Sequence, residues 1–172
     1  MKRLYLLRHA KSSWEDATLA DHERPLAKRG RRASKAIARH LRREGVNPEV
    51  VLCSSAIRTL ETLERIEPEL GGANVRIEPR IYEASAGGLL ALVRELDVDV
   101  GSAMLIGHNP GLEHLIADLA RAGPELDRLR EKFPTAALAT LELAGTWREL
   151  APGGTELVSF LKPKELSGGG GK

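Results

Sequence analysis

Two adjacent residues near the start of the chain, Arg8 and His9, have side chains suited to phosphoryl chemistry. A guanidinium forms paired hydrogen bonds with phosphate oxygens, and a neutral imidazole can attack phosphorus as a nucleophile. Residues 4–7 before them are all apolar and predict a short buried strand. Ligands of open α/β sheets bind at the carboxyl ends of strands, where this pair would lie. On its own, however, an Arg-His pair is more often part of a basic surface loop.

Residues of the same two types follow later predicted strands. Arg58 comes shortly after a predicted strand at residues 49–53, and His108 comes after another at residues 103–106. Because the carboxyl ends of parallel strands meet at one edge of a sheet, we expect these side chains to converge with Arg8 and His9. Two cations and two imidazoles suit a phosphoryl group, whose oxygens need fixed positive donors during transfer. The sequence therefore predicts a phosphoryl-transfer site with a phosphohistidine intermediate.

Strands and helices alternate along the rest of the chain. This alternation predicts a three-layer α/β sandwich with a mostly parallel central sheet. Asn109 is expected to cap the helix that follows His108, with Pro110 in its first turn. The other predicted helices cover residues 27–44, 87–96 and 123–134. The last of these is predicted to lie on the surface and is the one candidate lid. The other predicted strands cover residues 75–81, 136–143 and 155–161.

Length and composition indicate one globular domain. The chain has 172 residues, of which 42% are hydrophobic and 29% charged, so one core at residues 1–163 suffices. Four consecutive glycines predict that residues 164–172 form a flexible tail. Cys53 is the only cysteine, which excludes an internal disulfide and a cysteine-rich metal site. The apolar run at the start is too short for a signal peptide or a membrane span, so we expect a cytoplasmic protein.

The predicted helix at residues 27–44 is strongly basic. Lys28, Arg32, Lys35, Arg39 and Arg42 fall on a side different from its apolar stripe. A solvated face is the preferred interpretation, and a docking patch is the alternative. With aromatic residues at only 3% and a formal net charge of +2, neither a nucleic acid nor a membrane is an expected partner.

Four stretches together resemble the histidine phosphatase superfamily, and within it the SixA-like phosphohistidine phosphatases. They are RHAKSSW at residues 8–14, DHERPL at residues 21–26 followed by Lys28-Arg29-Gly30, SSAIR at residues 54–58 with Thr62, and GHNPG at residues 107–111. The resemblance implies a phosphoglycerate mutase-like α/β domain that needs no metal or cofactor. It also implies that His9 accepts the phosphoryl group, that Arg8 and Arg58 clamp it, and that His108 steadies it.

Two positions depart from the family pattern. The family has glycine after its Arg-His pair and proline after the serine of its second motif, where this chain has Ala10 and Ser55. Ser12 and Asn109, in two of the matching stretches, are further candidates for substrate binding.

Glu83 lies about where many superfamily members carry a general acid. An ordinary exposed loop glutamate is an equally good interpretation. Cys53 and Arg58 superficially resemble the loop of cysteine-dependent phosphatases, but the spacing is one residue short and Cys53 ends an apolar run.

The expected function is therefore a metal-independent phosphatase that acts on phosphohistidine in a protein. The compact chain favours this substrate, because larger members of the superfamily carry insertions that cap the pocket. Two alternatives remain: a phosphomonoesterase for a small metabolite, and a module that binds phosphorylated proteins without catalysis. The sequence does not indicate the oligomeric state.

Overall fold

The fold is a six-stranded sheet covered by helices on both faces, in a computed structural model that describes residues 1–170. The strands lie in the order β3-β2-β4-β1-β5-β6. Their bounds are β1 Lys2–Arg8, β2 Val50–Cys53, β3 Asn74–Ile77, β4 Ser102–Gly107, β5 Leu138–Leu143 and β6 Glu156–Leu161. The helices are α1 Lys28–Arg43, α2 Ile57–Ile66, α3 Ala86–Arg94, α4 Gly111–Leu119, α5 Pro124–Glu131 and α6 Pro163–Gly170. No helix within residues 1–170 combines the length and apolar character needed to cross a membrane.

The sheet is mostly parallel, as predicted. Strands β1, β2, β3 and β4 run in one direction, β5 pairs antiparallel with both β1 and β6, and β6 therefore runs with the first four. Side chains of β1 alternate between the faces: Leu4 and Leu6 pack with residues of α3, α4 and α5, whereas Tyr5 and Leu7 pack with residues of α1 and α2. The three-layer α/β prediction is confirmed.

The crossover helix α1 packs by a narrow apolar stripe. Ile37 and Leu41 are buried in the core, and Gly45 ends the helix with a φ of +63°, a conformation that suits glycine. The amino end of α1 lies against the loop after β1, where the Ala27 N–H donates to the Lys11 carbonyl over 2.9 Å. A side chain at Gly30 would overlap that carbonyl, so only glycine allows this contact.

The predicted strand at residues 75–81 is wrong at its end. Strand β3 ends at Ile77 and residues 79–81 form a short 3-10 turn, because Pro79 has no N–H for strand pairing. Residues 163–170 form helix α6, because Pro163 suits a first helical turn and Leu166 packs on the apolar cluster beneath α1; the flexibility of residues 164–172 stays a prediction. The last two residues of that predicted tail, 171–172, lie outside the described residues.

Helix α5 is the predicted surface helix at residues 123–134, but it is anchored rather than overhanging. Leu126 and Leu129 are buried in the core, and Phe133 beyond its end is fully buried. The segment therefore belongs to the packed layer and does not form a lid.

Candidate active site

The carboxyl ends of β1, β2 and β4 meet at one rim of the sheet and carry the predicted site residues. Arg8 ends β1, Arg58 lies in the first turn of α2 after β2, and His108 follows β4. The imidazole centroids of His9 and His108 lie 5.2 Å apart, and Arg58 Nε lies 3.4 Å from His9 Nε2. The structure thus brings His9, Arg58 and His108 into direct contact, with Arg8 next to His9 in the chain. We call these four residues the phosphoryl pocket.

The hydrogen bonds of His9 fix which nitrogen carries the proton. His9 Nδ1 lies 2.7 Å from the Ala10 carbonyl oxygen, which can only accept, so Nδ1 must donate. At the other side of the ring, Arg58 Nε can only donate, so Nε2 must accept. Both contacts select the same neutral tautomer. Nε2 is therefore the unprotonated nitrogen, the one with the lone pair that an attack on phosphorus needs.

Burial keeps both imidazoles of the pocket neutral. It lowers the pKa of His9 to about 3, and the neighbouring groups His108, Arg58 and Arg8 act in the same direction. Burial likewise lowers the pKa of His108 to about 4, assisted by Arg58 and Arg8. A nucleophilic imidazole must be unprotonated, so the pocket holds His9 in its reactive state at neutral pH.

Asp21 holds the guanidinium of Arg58 in place. Arg58 donates to the Asp21 backbone oxygen over 2.7 Å and to Asp21 Oδ2 over 3.0 Å, and only 6% of Arg58 is exposed. Tyr82 donates to the same carboxylate oxygen over 2.6 Å. The Tyr82 hydrogen bond, followed by those from Arg58 and Arg24, holds the pKa of Asp21 well below its usual range. The Arg58 guanidinium is therefore fixed by the protein's own groups.

Arg8 and Asn109 share one acceptor, the carbonyl oxygen of Phe133, each over 3.0 Å. The sequence predicted that Asn109 caps α4, and this prediction is wrong. Pro110 occupies the capping position, and the Asn109 amide turns toward Phe133. Buried polar atoms that lack a hydrogen-bond partner among the described residues cluster here: Arg8 Nε, His108 Nδ1 and Asn109 Oδ1. Unpaired buried polar atoms are costly, which indicates a site prepared for a polar ligand.

Thr62 connects the loop that carries His9 to the helix that carries Arg58. The Ala10 N–H donates to Thr62 Oγ1 over 3.1 Å, and the Thr62 hydroxyl donates to the Arg58 carbonyl over 2.8 Å. Ala10, where the family has glycine, is fully buried and does not have a positive φ. Alanine therefore fits this position without strain.

Ser12 lies in a second layer with Arg24 and Trp14. Ser12 Oγ accepts a hydrogen bond from Arg24 over 2.7 Å, and Arg24 also donates to Asp21. The Arg24 guanidinium carbon lies 3.5 Å from the centroid of the Trp14 ring, and 71% of Trp14 is exposed. Ser12 thus supports the loop, and its substrate contact stays a prediction.

Glu83 lies at a cleft of about 520 Å³ that Asp21, Arg58 and His108 also line. It is exposed, forms no hydrogen bond or ion pair with the residues that the structure describes, and has a φ of +60°. That conformation is uncommon for a residue other than glycine and costs about 1 kcal/mol or more. Glu83 is therefore near the pocket and free to move a proton, but its role as general acid stays a prediction.

Cys53 is a core residue. It is fully buried, and burial raises the pKa of its thiol to about 12. Such a thiol is not a nucleophile at neutral pH. Among residues 1–170, no group of three or more His, Cys, Asp or Glu side chains is arranged to hold a metal ion.

Sequence reasoning missed Asp21 and Tyr82 as parts of the site. Both lie in or beside stretches that it singled out, but their contact with each other joins residues 61 positions apart. A buried cation needs a partner of opposite charge, so a buried arginine predicts a carboxylate beside it. This rule was the available signal for Asp21.

Comparison with known proteins identifies the family. The sequence model described as histidine phosphatase superfamily (branch 1) matches residues 4–141. An uncharacterized protein of Mycobacterium tuberculosis is 35% identical over 162 residues, which cover 92% of this chain and 100% of that protein.

Solved structures agree with this match. A structure from Nakamurella multipartitia, proposed to be the phosphohistidine phosphatase SixA, has a TM-score of 0.83 and 31% identity, and the match covers 94% of this chain and 96% of that one. The protein histidine phosphatase SixA complexed with tungstate has a TM-score of 0.78 and 25% identity, with 95% and 99% of the two chains covered.

Proposed function

Because the chain belongs to branch 1 of the histidine phosphatase superfamily and is on that ground a phosphatase, we propose that it dephosphorylates phosphohistidine in a protein. The observation that carries the proposed chemistry is the geometry of His9. Its Nε2 lone pair lies beside the fixed guanidinium of Arg58, so the nucleophile and a phosphate-binding donor meet at one point. The other residues of the phosphoryl pocket complete a cradle for phosphoryl oxygens.

The proposed reaction has two steps. In the first, His9 Nε2 forms a bond to phosphorus while the bond from phosphorus to the substrate nitrogen breaks, and the departing imidazole takes a proton. In the second, water attacks phosphorus, the bond to His9 Nε2 breaks, and inorganic phosphate leaves. Arg8 and Arg58 hold the phosphoryl oxygens in both steps, because guanidinium groups match their charge and geometry.

A protein substrate is supported by the open rim and by the relatives. Helix α5 packs into the core, so this segment does not cover the pocket. The solved structures with 31% and 25% identity are described as SixA proteins, and one of them binds tungstate, a tetrahedral oxyanion like phosphate.

The test compares substrates on one enzyme preparation. We expect a protein carrying phosphohistidine to be hydrolysed with a higher kcat/KM than sugar phosphates, nucleotides or p-nitrophenyl phosphate. Enzyme quenched in alkali during turnover should carry phosphate on His9, because phosphohistidine is stable to alkali and labile to acid. A higher kcat/KM for a small ester would favour the phosphomonoesterase, for which the free Glu83 carboxylate at the cleft is the supporting observation. No turnover of any substrate would favour the binding module.

A further inference from the structure

A groove of about 830 Å³ lies outside the phosphoryl pocket, between α1 and α6. Its floor is apolar and includes Ala33, Ala36 and Leu166. Its walls carry six exposed cations: Arg29, Arg32, Lys35, Arg39, Arg43 and Lys164. We call this surface the cationic groove.

The charges of α1 are unusually one-sided. The helix Lys28–Arg43 contains eight lysine or arginine residues and no acidic residue. The formal net charge of the chain is +2 and α1 alone carries +8, which leaves −6 for the rest. Within the described residues, none of the ion pairs includes a residue of α1. The cationic groove is therefore not neutralised by the protein itself.

Helix stability does not explain this pattern. Like charges at positions i and i+4, such as Lys35 with Arg39 and Arg39 with Arg43, destabilise a helix by about 0.2–0.5 kcal/mol per pair. A helix face that only needs hydration usually mixes both signs, because opposite charges at this spacing stabilise it. The arrangement on α1 thus has a small energetic cost that an anionic partner would remove.

The groove also leads away from the phosphoryl pocket. The amino end of α1 contacts Lys11, two residues after His9, through the hydrogen bond from the Ala27 N–H. Because α1 joins two parallel strands, it runs from the catalytic rim toward the opposite edge, over about 24 Å for its 16 residues. A chain lying in the groove would therefore extend from a phosphoryl group held at His9.

We propose that the cationic groove binds an acidic segment of the phosphorylated protein substrate, a proposal that rests on the proposed function. A concave groove with an apolar floor accommodates a polypeptide segment, whereas a flat bilayer surface does not enter it. The described residues that line it include no aromatic side chain for base stacking, which disfavours a single-stranded nucleic acid. Charge complementarity selects acidic sequence and accelerates encounter.

The binding test uses a fluorescein-labelled peptide of glutamate and leucine residues, followed by fluorescence anisotropy. The variant Arg32→Glu/Lys35→Glu/Arg39→Glu reverses three charges in the groove. A matched control, Arg76→Glu/Arg121→Glu/Arg148→Glu, makes the same change in net charge at exposed positions elsewhere. We expect the groove variant to bind at least about tenfold more weakly and the control within about twofold of wild type. Equal losses in the two variants, or none in the groove variant, would overturn the proposal.

Competition identifies the class of partner. We expect unlabelled peptide to displace the labelled peptide at lower concentration than duplex DNA or phosphatidylserine vesicles of equal total charge. Displacement by DNA or by vesicles at the lower concentration would assign the groove to that partner and reject the acidic protein segment.

A kinetic arm separates this proposal from the proposed function. Two phosphohistidine peptides that differ only in an acidic or a neutral flanking segment are compared. The acidic peptide should have the lower KM, and the groove variant should raise that KM toward the value for the neutral peptide while kcat stays unchanged. Hydrolysis of p-nitrophenyl phosphate should stay within about twofold of wild type in both triple variants. Equal KM values for the two peptides would refute the docking role, whereas failure to hydrolyse either peptide would refute the proposed function and leave the anisotropy result standing.

Discussion

The phosphoryl pocket and the cationic groove both depend on arginines, but they hold their charges in opposite ways. Arg58 is 6% exposed and is fixed by two hydrogen bonds to Asp21. The groove arginines are exposed and outside the described ion pairs. A fixed guanidinium can match one phosphoryl geometry, whereas exposed charges act at a distance and are screened beyond about 10 Å at 0.1 M salt. The site suited to phosphoryl chemistry is therefore recognised by cations that are held in a fixed position, and not by the number of cations.

The most severe test of this comparison removes the nucleophile and leaves both sets of cations intact. His9→Ala should reduce kcat by at least about a hundredfold, because it removes the imidazole proposed to form the covalent intermediate. Its thermal unfolding should remain a single cooperative transition, which circular dichroism would check. Retention of more than about a hundredth of wild-type activity would contradict a covalent mechanism through His9.

One conservative substitution made in both regions sharpens the contrast. Arg58→Lys should lower kcat/KM by about a hundredfold, because an ammonium cannot replace the paired contacts of the guanidinium to Asp21 and a phosphoryl oxygen. Arg32→Lys, its matched control in the groove, should change the same quantity by less than about twofold, since only charge is needed there. Steady-state kinetics with p-nitrophenyl phosphate measures both. Similar losses in the two variants would remove the distinction between fixed and free cations.

Glu83 tests whether an unpartnered side chain beside the pocket takes part in proton transfer. An imidazole leaving group can be protonated from solvent near its reference pKa of about 6.5, so Glu83→Gln should keep phosphohistidine hydrolysis within about tenfold of wild type. Alkyl phosphate esters release a poorer leaving group, so their hydrolysis should fall by at least about a hundredfold. Measuring both substrates with one preparation cancels errors in concentration. Small equal losses would make Glu83 an ordinary loop residue, and large equal losses would favour the small-ester phosphatase.

The smallest expected effect concerns pH and stability. The pKa of His9 is about 3 in the folded chain and about 6.5 when exposed, so on acidification the unfolded chain binds a proton that the folded chain excludes. The free energy of unfolding should therefore fall as pH decreases from about 6.5 to about 4, by at most about 1.4 kcal/mol per pH unit for this proton. Asp21, whose pKa is lowered by folding, loses its contribution only at lower pH.

Urea unfolding across this pH range measures that effect. His9→Gln, which cannot be protonated, should give a shallower dependence than wild type, whereas Arg32→Gln in the groove should leave it unchanged. Parallel curves for His9→Gln and wild type would contradict the burial of a neutral imidazole.

The sequence predicted the layers of the fold and the meeting of strand ends, because both follow from local apolar runs and from the topology of parallel sheets. Arg8, His9, Arg58 and His108 could be grouped for this reason, although their catalytic roles stay predictions. Asp21 and Tyr82 were not grouped with them, since side chains that meet across 61 residues leave no local pattern.

Errors arose where tertiary packing overrode local preference. The predicted strand at residues 75–81 is one example: it ends at Ile77, and residues 79–81 form a 3-10 turn. Asn109 is a good cap by type, but its amide donates to the Phe133 carbonyl, and its Oδ1 accepts no N–H of α4 among the described residues. The positive φ of Glu83 could not be predicted either, because the residue type gives no indication of that conformation.

The positions of the two tryptophans provide the protein with two distinct optical reporters. Trp14 is 71% exposed at the catalytic rim and stacks on Arg24, whereas Trp147 is fully buried and donates to the Val100 carbonyl near the start of β4. An indole in water emits at longer wavelength than one in an apolar core, so the two contributions separate in the emission spectrum. Occupation of the rim should change the red component alone, and loss of core packing should shift the blue component, so ligand binding and unfolding can be followed in one unlabelled sample.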